Sequence, residues 1–184
     1  MSPREPIRLF IVDDHAIVRA GVRMLLNAQS ALEVVGEAES AEDALEVLPG
    51  IDADVVLLDL SLPGMNGIEA VRALRRRLPQ ARFIALSMHE DPEYVQGFLE
   101  AGGSGYVPKS SLEMQLVDAI LAVSRGEYYA PARLLAELAR EMASGDLGIS
   151  EKTVATYRER ASEKLGVKTR AELVRWALEH NLLE

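Results

Sequence analysis

Short apolar runs alternate with amphipathic segments through residue 125, and this alternation limits the possible fold more than any other feature. The predicted strands are "IRLFIV", "LEVVGEA", "DVVLLDL", "RFIALS" and "GYVP". The helices predicted between and after them are "AIVRAGVRMLLNA", "SAEDALEVL", "GIEAVRALRRRL", "PEYVQGFLEAG" and "SLEMQLVDAILAVSRG". Strands that alternate with helices through short connections predict an α/β domain with a five-stranded, doubly wound parallel sheet.

The first two predicted helices carry further signals. The apolar face predicted for the first helix consists of Ile17, Val18, Val22, Leu25 and Leu26. In the second helix, Ser40 precedes Asp43 by three residues and is the predicted N-cap.

The chain changes character after residue 128. Three amphipathic helices are predicted there, in "ARLLAELAREMA", "SEKTVATYRERASEKLG" and "RAELVRWALEHNLL". We therefore predict an α/β domain over 1–128, a linker helix and junction over 129–146, and a small all-α unit over 147–184. Residues 1–128 hold 11 basic and 20 acidic side chains, whereas residues 129–184 hold nine of each.

The composition excludes several classes of protein. The chain has no cysteine, so disulfides, thiolate catalysis and cysteine-ligated zinc are excluded. No apolar run approaches the roughly 18 residues of a membrane span. The segment "MSPREPIRLF" lacks the apolar centre of a signal peptide. We therefore expect a cytoplasmic protein without a membrane partner.

Chemically active side chains follow the predicted strands. Asp13 and Asp14 come directly after the first strand, Asp59 after the third, Ser87 after the fourth and Lys109 after the fifth. Ligands of an open parallel sheet bind beyond the carboxyl ends of its strands, so these groups are expected to converge. Adjacent carboxylates repel each other, and Mg²⁺, which prefers oxygen ligands, would relieve that repulsion. The alternative is that each aspartate caps the helix that follows it.

The motifs resemble those of a known family. The segments "IVDDH", "LLDLSLPGMNGIEA", "ALSMHED" and "AGGSGYVPKSS" resemble the receiver domain of bacterial two-component response regulators over residues 7–125. The segment "LGISEKTVATYRERASEKLGVKTRAELVRWALEHNLL" is similar to the C-terminal half of a NarL/LuxR-type helix-turn-helix domain. The resemblance implies a flavodoxin-like receiver followed by a DNA-binding unit.

The resemblance assigns roles to the acidic residues. Asp59 would be the phosphoacceptor, attacking a phosphohistidine of a sensor histidine kinase or a small phosphodonor. Asp14, Asp59 and the backbone carbonyl of Ser61 would ligate Mg²⁺, and Asp13 would act through a metal-bound water. Phosphoryl transfer needs mainly positioning and charge neutralisation, which agrees with these roles.

The other strand-end residues would stabilise and report the phosphoryl group. By resemblance, Lys109 would neutralise phosphoryl charge, and Ser87 would donate a hydroxyl hydrogen bond to the new phosphoryl oxygen. Movement of Ser87 would draw in the aromatic ring of Tyr106 and so bias a packed element. An alternative interpretation of Tyr106 is an ordinary core aromatic residue.

The similarity to the helix-turn-helix family is incomplete. The sequence passes from "REMASGD" to "LGISEKTV", so about 25 residues that carry the family's first two helices are absent, although a recognition helix needs such a partner. Three explanations are open: omission of a segment from the sequence, a genuine or engineered deletion, or replacement by "ARLLAELAREMA" as packing partner. The close match on both sides favours the first.

The recognition helix would lie over residues 151–165. By resemblance, its contacts to base edges would come from Lys152, Ala155, Thr156 and Glu159. Contacts to phosphates would come from Thr153, Tyr157, Arg160, Lys164 and Lys168. The alternative for this segment is a solvent-exposed helix face with intrahelical ion pairs.

These observations lead to a functional hypothesis. The chain is expected to be a response regulator in which phosphorylation of Asp59 switches promoter binding and produces a homodimer. It would be no enzyme beyond its own Mg²⁺-dependent aspartyl phosphorylation and dephosphorylation. One alternative is a receiver that acts through protein contacts alone. Another, an aspartyl-phosphate hydrolase, normally needs a second aspartate where Ser61 stands.

Overall fold

The computed structural model describes residues 5–88 and 92–130. The chain divides into two units, Met1–Ala130 and Pro131–Glu184, and the second unit lies outside the described residues. The predicted helix-turn-helix unit and most of the predicted linker helix therefore lie outside them too. The same holds for every residue predicted to contact DNA, namely Lys152, Thr153, Ala155, Thr156, Tyr157, Glu159, Arg160, Lys164 and Lys168.

The first unit is built on a five-stranded parallel sheet in the order β2-β1-β3-β4-β5. Its strands are β1 (Ile7–Val12), β2 (Leu32–Ala38), β3 (Val55–Asp59), β4 (Arg82–Ser87) and β5 (Gly105–Pro108). Its helices are α1 (Ala16–Asn27), α2 (Ala41–Val47), α3 (Gly67–Arg77), α4 (Pro92–Glu100) and α5 (Leu112–Ser124). This order and direction confirm the predicted flavodoxin-like fold.

Helices cover both faces of the sheet, which is why its strands are apolar throughout rather than alternating. On one face, Leu9 and Ile11 of β1 pack with Leu26 of α1 and Leu116 of α5 in a single buried cluster. Neighbouring side chains along β1 point to the opposite face, where Phe10 is also fully buried. The central strand β3 is buried at all five positions. The buried sheet therefore supports the residues that follow its strands.

Helix α1 differs in one respect from its predicted apolar face. Val22 and Leu26 are buried, and Val18 and Leu25 pack against the same cluster, as expected. Ile17, however, is 89% exposed, so its assignment to the buried face was wrong. At 100° per residue, Ile17 lies about 180° around the helix from Leu26.

Local signals position the loop that follows β3. The backbone amides of Ile68 and Glu69 donate to Asn66 Oδ1 at 3.1 and 3.0 Å, which begins α3. A Cβ atom on Gly67 would lie 2.5 Å from the carbonyl oxygen of Asp59, so only glycine allows this close return of the chain. The Ser40 cap of α2 is confirmed, since its side chain accepts from the Asp43 amide at 3.1 Å.

The edge of the sheet beside β5 extends past the predicted domain end at residue 128. The Tyr106 amide donates to the Tyr129 carbonyl at 2.7 Å, and the Tyr129 amide donates to the Ser104 carbonyl at 3.1 Å. The first unit therefore includes Tyr129, which the sequence analysis placed in the linker.

Candidate functional site

The strand-end residues singled out in the sequence lie at the carboxyl edge of the sheet. Strand order reverses between β1 and β3, and the crevice at such a reversal is the usual ligand site of this fold. Asp13 directly follows β1, and Asp59 is the last residue of β3. Both side chains are buried, at 0% and 1% exposure, whereas Asp14 keeps 30% of its side chain exposed. The site therefore has a buried floor and an open acidic rim.

Lys109 bridges the two buried aspartates. Its Nζ atom lies 2.7 Å from Asp13 Oδ2 and 2.7 Å from Asp59 Oδ2, and its side chain is 8% exposed. Burial alone would lower the pKa of Lys109, but its hydrogen bonds to Asp13 and Asp59 outweigh burial and hold that pKa above its ordinary value of 10.5. The ammonium is therefore charged at neutral pH and fixed between the two carboxylates.

The second oxygen of each buried carboxylate is also held. Asp13 Oδ1 accepts from the His15 amide at 2.8 Å, and Asp59 Oδ1 accepts from the Ser61 amide at 2.8 Å. Both contacts are to the backbone two residues further along the chain. They orient the two carboxylates.

A histidine lies beside the acid pair, which is Asp13 and Asp14. His15 Nδ1 lies 2.8 Å from Asp14 Oδ1 and 3.6 Å from Asp13 Oδ1, and the His15 side chain is 63% exposed. One ligand atom each from Asp13, Asp14, His15 and Asp59 lies within 4.8 Å of the others. Among the described residues, the contacts of this site set three carboxylates against one ammonium, so negative charge remains uncompensated.

Ser87 and Tyr106 lie on the neighbouring strands. Ser87 ends β4, is fully buried, and pairs with Pro108, the residue before Lys109. Tyr106 is fully buried in β5, and its ring meets that of Phe98 edge-on with centroids 6.3 Å apart. The ring thus already occupies an inward position, which is compatible with both interpretations of Tyr106 given above.

Sequence reasoning missed two contributors to the site. The sequence analysis gave His15 no role in the site, yet its ring lies among the carboxylates. Arg19 of α1 was not considered, and its Nη1 atom donates to the backbone carbonyl of Asp13 at 2.6 Å. The position of His15 beside the acid pair was a usable signal, whereas nothing in the sequence distinguishes Arg19 from a surface arginine.

Comparison with known families agrees with this geometry. The family model of the response regulator receiver domain matches residues 9–121, which is more than half of the chain. The model of the luxR family of bacterial regulatory proteins matches residues 134–177. The second match begins within "ARLLAELAREMA", so most of that segment belongs to the matched region.

Individual relatives match over nearly their full length. The transcriptional regulatory protein MctR of Rhizobium johnstonii is 31% identical over 210 residues, covering 100% of this chain and 98% of MctR. Response regulator UvrY of Escherichia coli K12 is 31% identical, covering 96% of this chain and 95% of UvrY. Since the MctR alignment spans 210 positions and this chain has 184 residues, about 26 positions lie opposite gaps. That number agrees with the shortened helix-turn-helix segment.

Solved structures give the same assignment. A LuxR-family two-component response regulator from Aurantimonas is 38% identical with a TM-score of 0.72, covering 76% of this chain and 99% of that one. The RcsB response regulator in a complex with DNA is 29% identical with a TM-score of 0.67, covering 94% of this chain and 98% of that one. The chain therefore belongs to the LuxR-type response regulators, the transcription regulators of two-component systems.

Proposed function

We propose that a sensor histidine kinase phosphorylates Asp59 and that this modification controls promoter binding by the LuxR-type unit in the cytoplasm. The observation that carries the proposal is the position of Asp59 at the end of β3, in contact with Lys109 and beside the acid pair. Phosphoryl transfer depends on fixed charges around the transferred group, and these contacts supply them.

The donor set suits Mg²⁺. Asp14, Asp59 and the Ser61 carbonyl would hold the ion, and Asp13 would contact it through water. Three carboxylates against one ammonium leave a net negative charge, which a divalent cation would balance. Mg²⁺ also prefers hard oxygen ligands such as these. When bound, Mg²⁺ supplies neutralisation of phosphoryl charge. His15 lies in the same cluster and contributes its only nitrogen ligand atom among the described residues.

The chain's own residues would perform the remaining steps. The Asp59 carboxylate attacks the phosphorus of the kinase phosphohistidine, the P–N bond breaks, and the imidazole leaves with the bonding electron pair. The Lys109 ammonium stabilises the negative charge of the new acyl phosphate, and the Ser87 hydroxyl donates to one of its oxygens. Tyr106, packed on Phe98 next to this strand, would transmit the change. Water then hydrolyses the acyl phosphate, which releases inorganic phosphate and restores the Asp59 carboxylate, so the proposed chemistry is confined to the chain's own aspartate.

A matched pair of variants tests the phosphoacceptor. Asp54 directly precedes β3 and Asp59 ends it, so Asp54→Asn is the control for Asp59→Asn. The full chain is incubated with Mg²⁺ and acetyl phosphate, and its mass is measured. Wild type and Asp54→Asn should each gain one phosphate, and Asp59→Asn should gain none. Phosphate incorporation that persists in Asp59→Asn would refute the assignment.

The DNA-binding half is tested by salt dependence. Affinity for promoter DNA should fall steeply with salt, because lysines that neutralise phosphates release counterions. Replacing Lys164 or Lys168 with alanine should reduce the salt slope by about 1 and weaken all sequences alike, whereas Thr156→Ala should change sequence preference. Fluorescence anisotropy of phosphorylated and unphosphorylated protein measures both. Absence of binding in both states would favour a receiver that acts through protein contacts.

Phosphorylation is also proposed to produce a homodimer, which would double the number of DNA contacts. Sedimentation of the full chain with and without acetyl phosphate measures this. The dimer should form in wild type and be absent in Asp59→Asn. A dimer that forms equally in both proteins would uncouple assembly from phosphorylation.

A further inference from the structure

We propose that Arg19 is a positioning residue of the acidic site. Its guanidinium holds the peptide group that joins Asp13 to Asp14, and so sets the directions in which both carboxylates meet a divalent cation. This inference rests on the Mg²⁺ site proposed above.

Arg19 uses its nitrogens on three different acceptors. Nη1 donates to the Asp13 carbonyl at 2.6 Å, Nε to Glu37 Oε2 at 3.0 Å, and Nη2 to Glu39 Oε1 at 2.7 Å. The Arg19 side chain is only 11% exposed. Glu37 lies in β2 and Glu39 directly follows it. Both hold the guanidinium in place while its third contact reaches the loop after β1. Its planar fork suits such multiple, directional contacts.

The carbonyl that Arg19 holds influences the orientation of both members of the acid pair. It belongs to the peptide unit between Asp13 and Asp14, whose plane determines where the Asp14 side chain begins. The other polar atoms of Asp13 are already engaged, by the backbone of Ala38 and His15 and by Lys109. Arg19 completes this set, so the backbone of Asp13 is fixed from α1 and β2, and its carboxylate is held by the lysine that follows β5.

Asp14 depends on its backbone more than Asp13 does. The Asp14 carboxylate is 30% exposed, and its contact partner is His15, whose ring is itself 63% exposed. Because the Asp14 carboxylate is partly exposed and contacts an exposed side chain, its orientation depends mainly on the main chain. Loss of the Arg19 contact should therefore weaken the metal site without removing any ligand, as loss of outer-shell partners does in other metal sites.

Arg23 offers a matched control on the same helix. It lies one turn after Arg19, and its Nη1 atom donates to Glu37 Oε1 at 2.9 Å. It is 52% exposed, and its described contact is with β2 rather than with the acid pair. If Arg19 served only to tie α1 to β2, Arg23→Ala and Arg19→Ala would have similar consequences.

The experiment titrates the full chain with Mg²⁺ alone and measures its affinity by calorimetry. Arg19→Ala should weaken Mg²⁺ affinity about tenfold, the usual size of an outer-shell effect. Arg23→Ala should bind Mg²⁺ as wild type does. Arg19→Lys, which can offer one donor to the Asp13 carbonyl, should recover part of the loss.

Two controls separate the possible failures. Asp14→Ala reports on the metal site itself: if wild type binds Mg²⁺ and Asp14→Ala binds it equally well, the Mg²⁺ proposal fails. If Asp14→Ala loses binding while Arg19→Ala keeps wild-type affinity, only the Arg19 inference is overturned. Equal weakening by Arg19→Ala and Arg23→Ala also overturns it. Should Arg19→Ala not fold, Glu39→Gln loosens the guanidinium without removing it and should weaken Mg²⁺ affinity to a smaller extent.

Discussion

At each end of the pair of strands β1 and β3, a basic side chain holds aspartates, but the two ends differ in exposure and in charge balance. At the amino end, Arg8 binds Asp54 through its backbone amide at 2.8 Å and through Nη2 at 3.0 Å, and it also binds Asp52. At the carboxyl end, Lys109 binds Asp13 and Asp59.

The exposure of these groups separates their roles. Side-chain exposure at the amino end is 36% for Arg8 and 43% for Asp54, whereas at the carboxyl end it is 8% for Lys109 and 0% for Asp13. Hydrogen bonds with Asp54 and Asp52 raise the pKa of Arg8, and hydrogen bonds from Arg8 lower the pKa of Asp54. Exposed pairs of this kind are screened by water and stabilise little. The amino end joins two strands, whereas the carboxyl end is buried and keeps an excess of negative charge, as the proposed Mg²⁺ site requires.

The largest expected effect comes from removing the basic partner at each end. Lys109→Met should lower the free energy of unfolding by about 3 kcal/mol in Mg²⁺-free buffer, because it leaves two buried carboxylates unpaired. Arg8→Met should cost clearly less, because water replaces the exposed arginine. Urea unfolding of the full chain measures both. Equal losses would contradict the distinction drawn between the two ends.

A smaller effect is expected from Mg²⁺. At ten times its dissociation constant, the ion should stabilise wild type by about 1.4 kcal/mol, because it binds only the folded chain. Asp14→Ala should lose this stabilisation, and Asp54→Asn should keep it. Thermal melting with and without Mg²⁺ measures the difference. A Mg²⁺ response that disappears in Asp54→Asn would show that the amino end also binds the ion.

The smallest effect concerns acid stability at the amino end. Since the pKa of Asp54 lies below its ordinary value of 3.8, its ion pair stabilises the fold above that pH and loses this contribution as pH falls through the folded-state pKa. Wild type should exceed Asp54→Asn by about 0.5 kcal/mol at pH 6, and the gap should close toward pH 2. Urea unfolding at the two pH values checks this, and a gap that widens in acid would reverse the sign.

Much of this architecture was predictable from the sequence. The bounds of β1, β2, β4 and β5 coincide with the predicted apolar runs, and β3 is shorter than predicted by one residue at each end. The Ser40 cap was also predictable, because its signal lies within four residues. Ile17 was misplaced although helix geometry separates it from the rest of the predicted face: Val18, Val22, Leu25 and Leu26 lie within about 100° of one another around α1, and Ile17 lies about 80° outside that arc.

The sequence by itself determined which groups would meet. Parallel strands bring their carboxyl ends to one edge, so Asp13, Asp59 and Lys109 could be grouped although 96 residues separate the first from the last. Tertiary structure alone decided how they meet: that Lys109 is shared by two carboxylates, and that Arg19 holds the peptide between Asp13 and Asp14. Those contacts depend on sheet register, on side-chain depth and on the packing of α1 against β2. These are distances between segments remote in sequence, and no local pattern of residues encodes them.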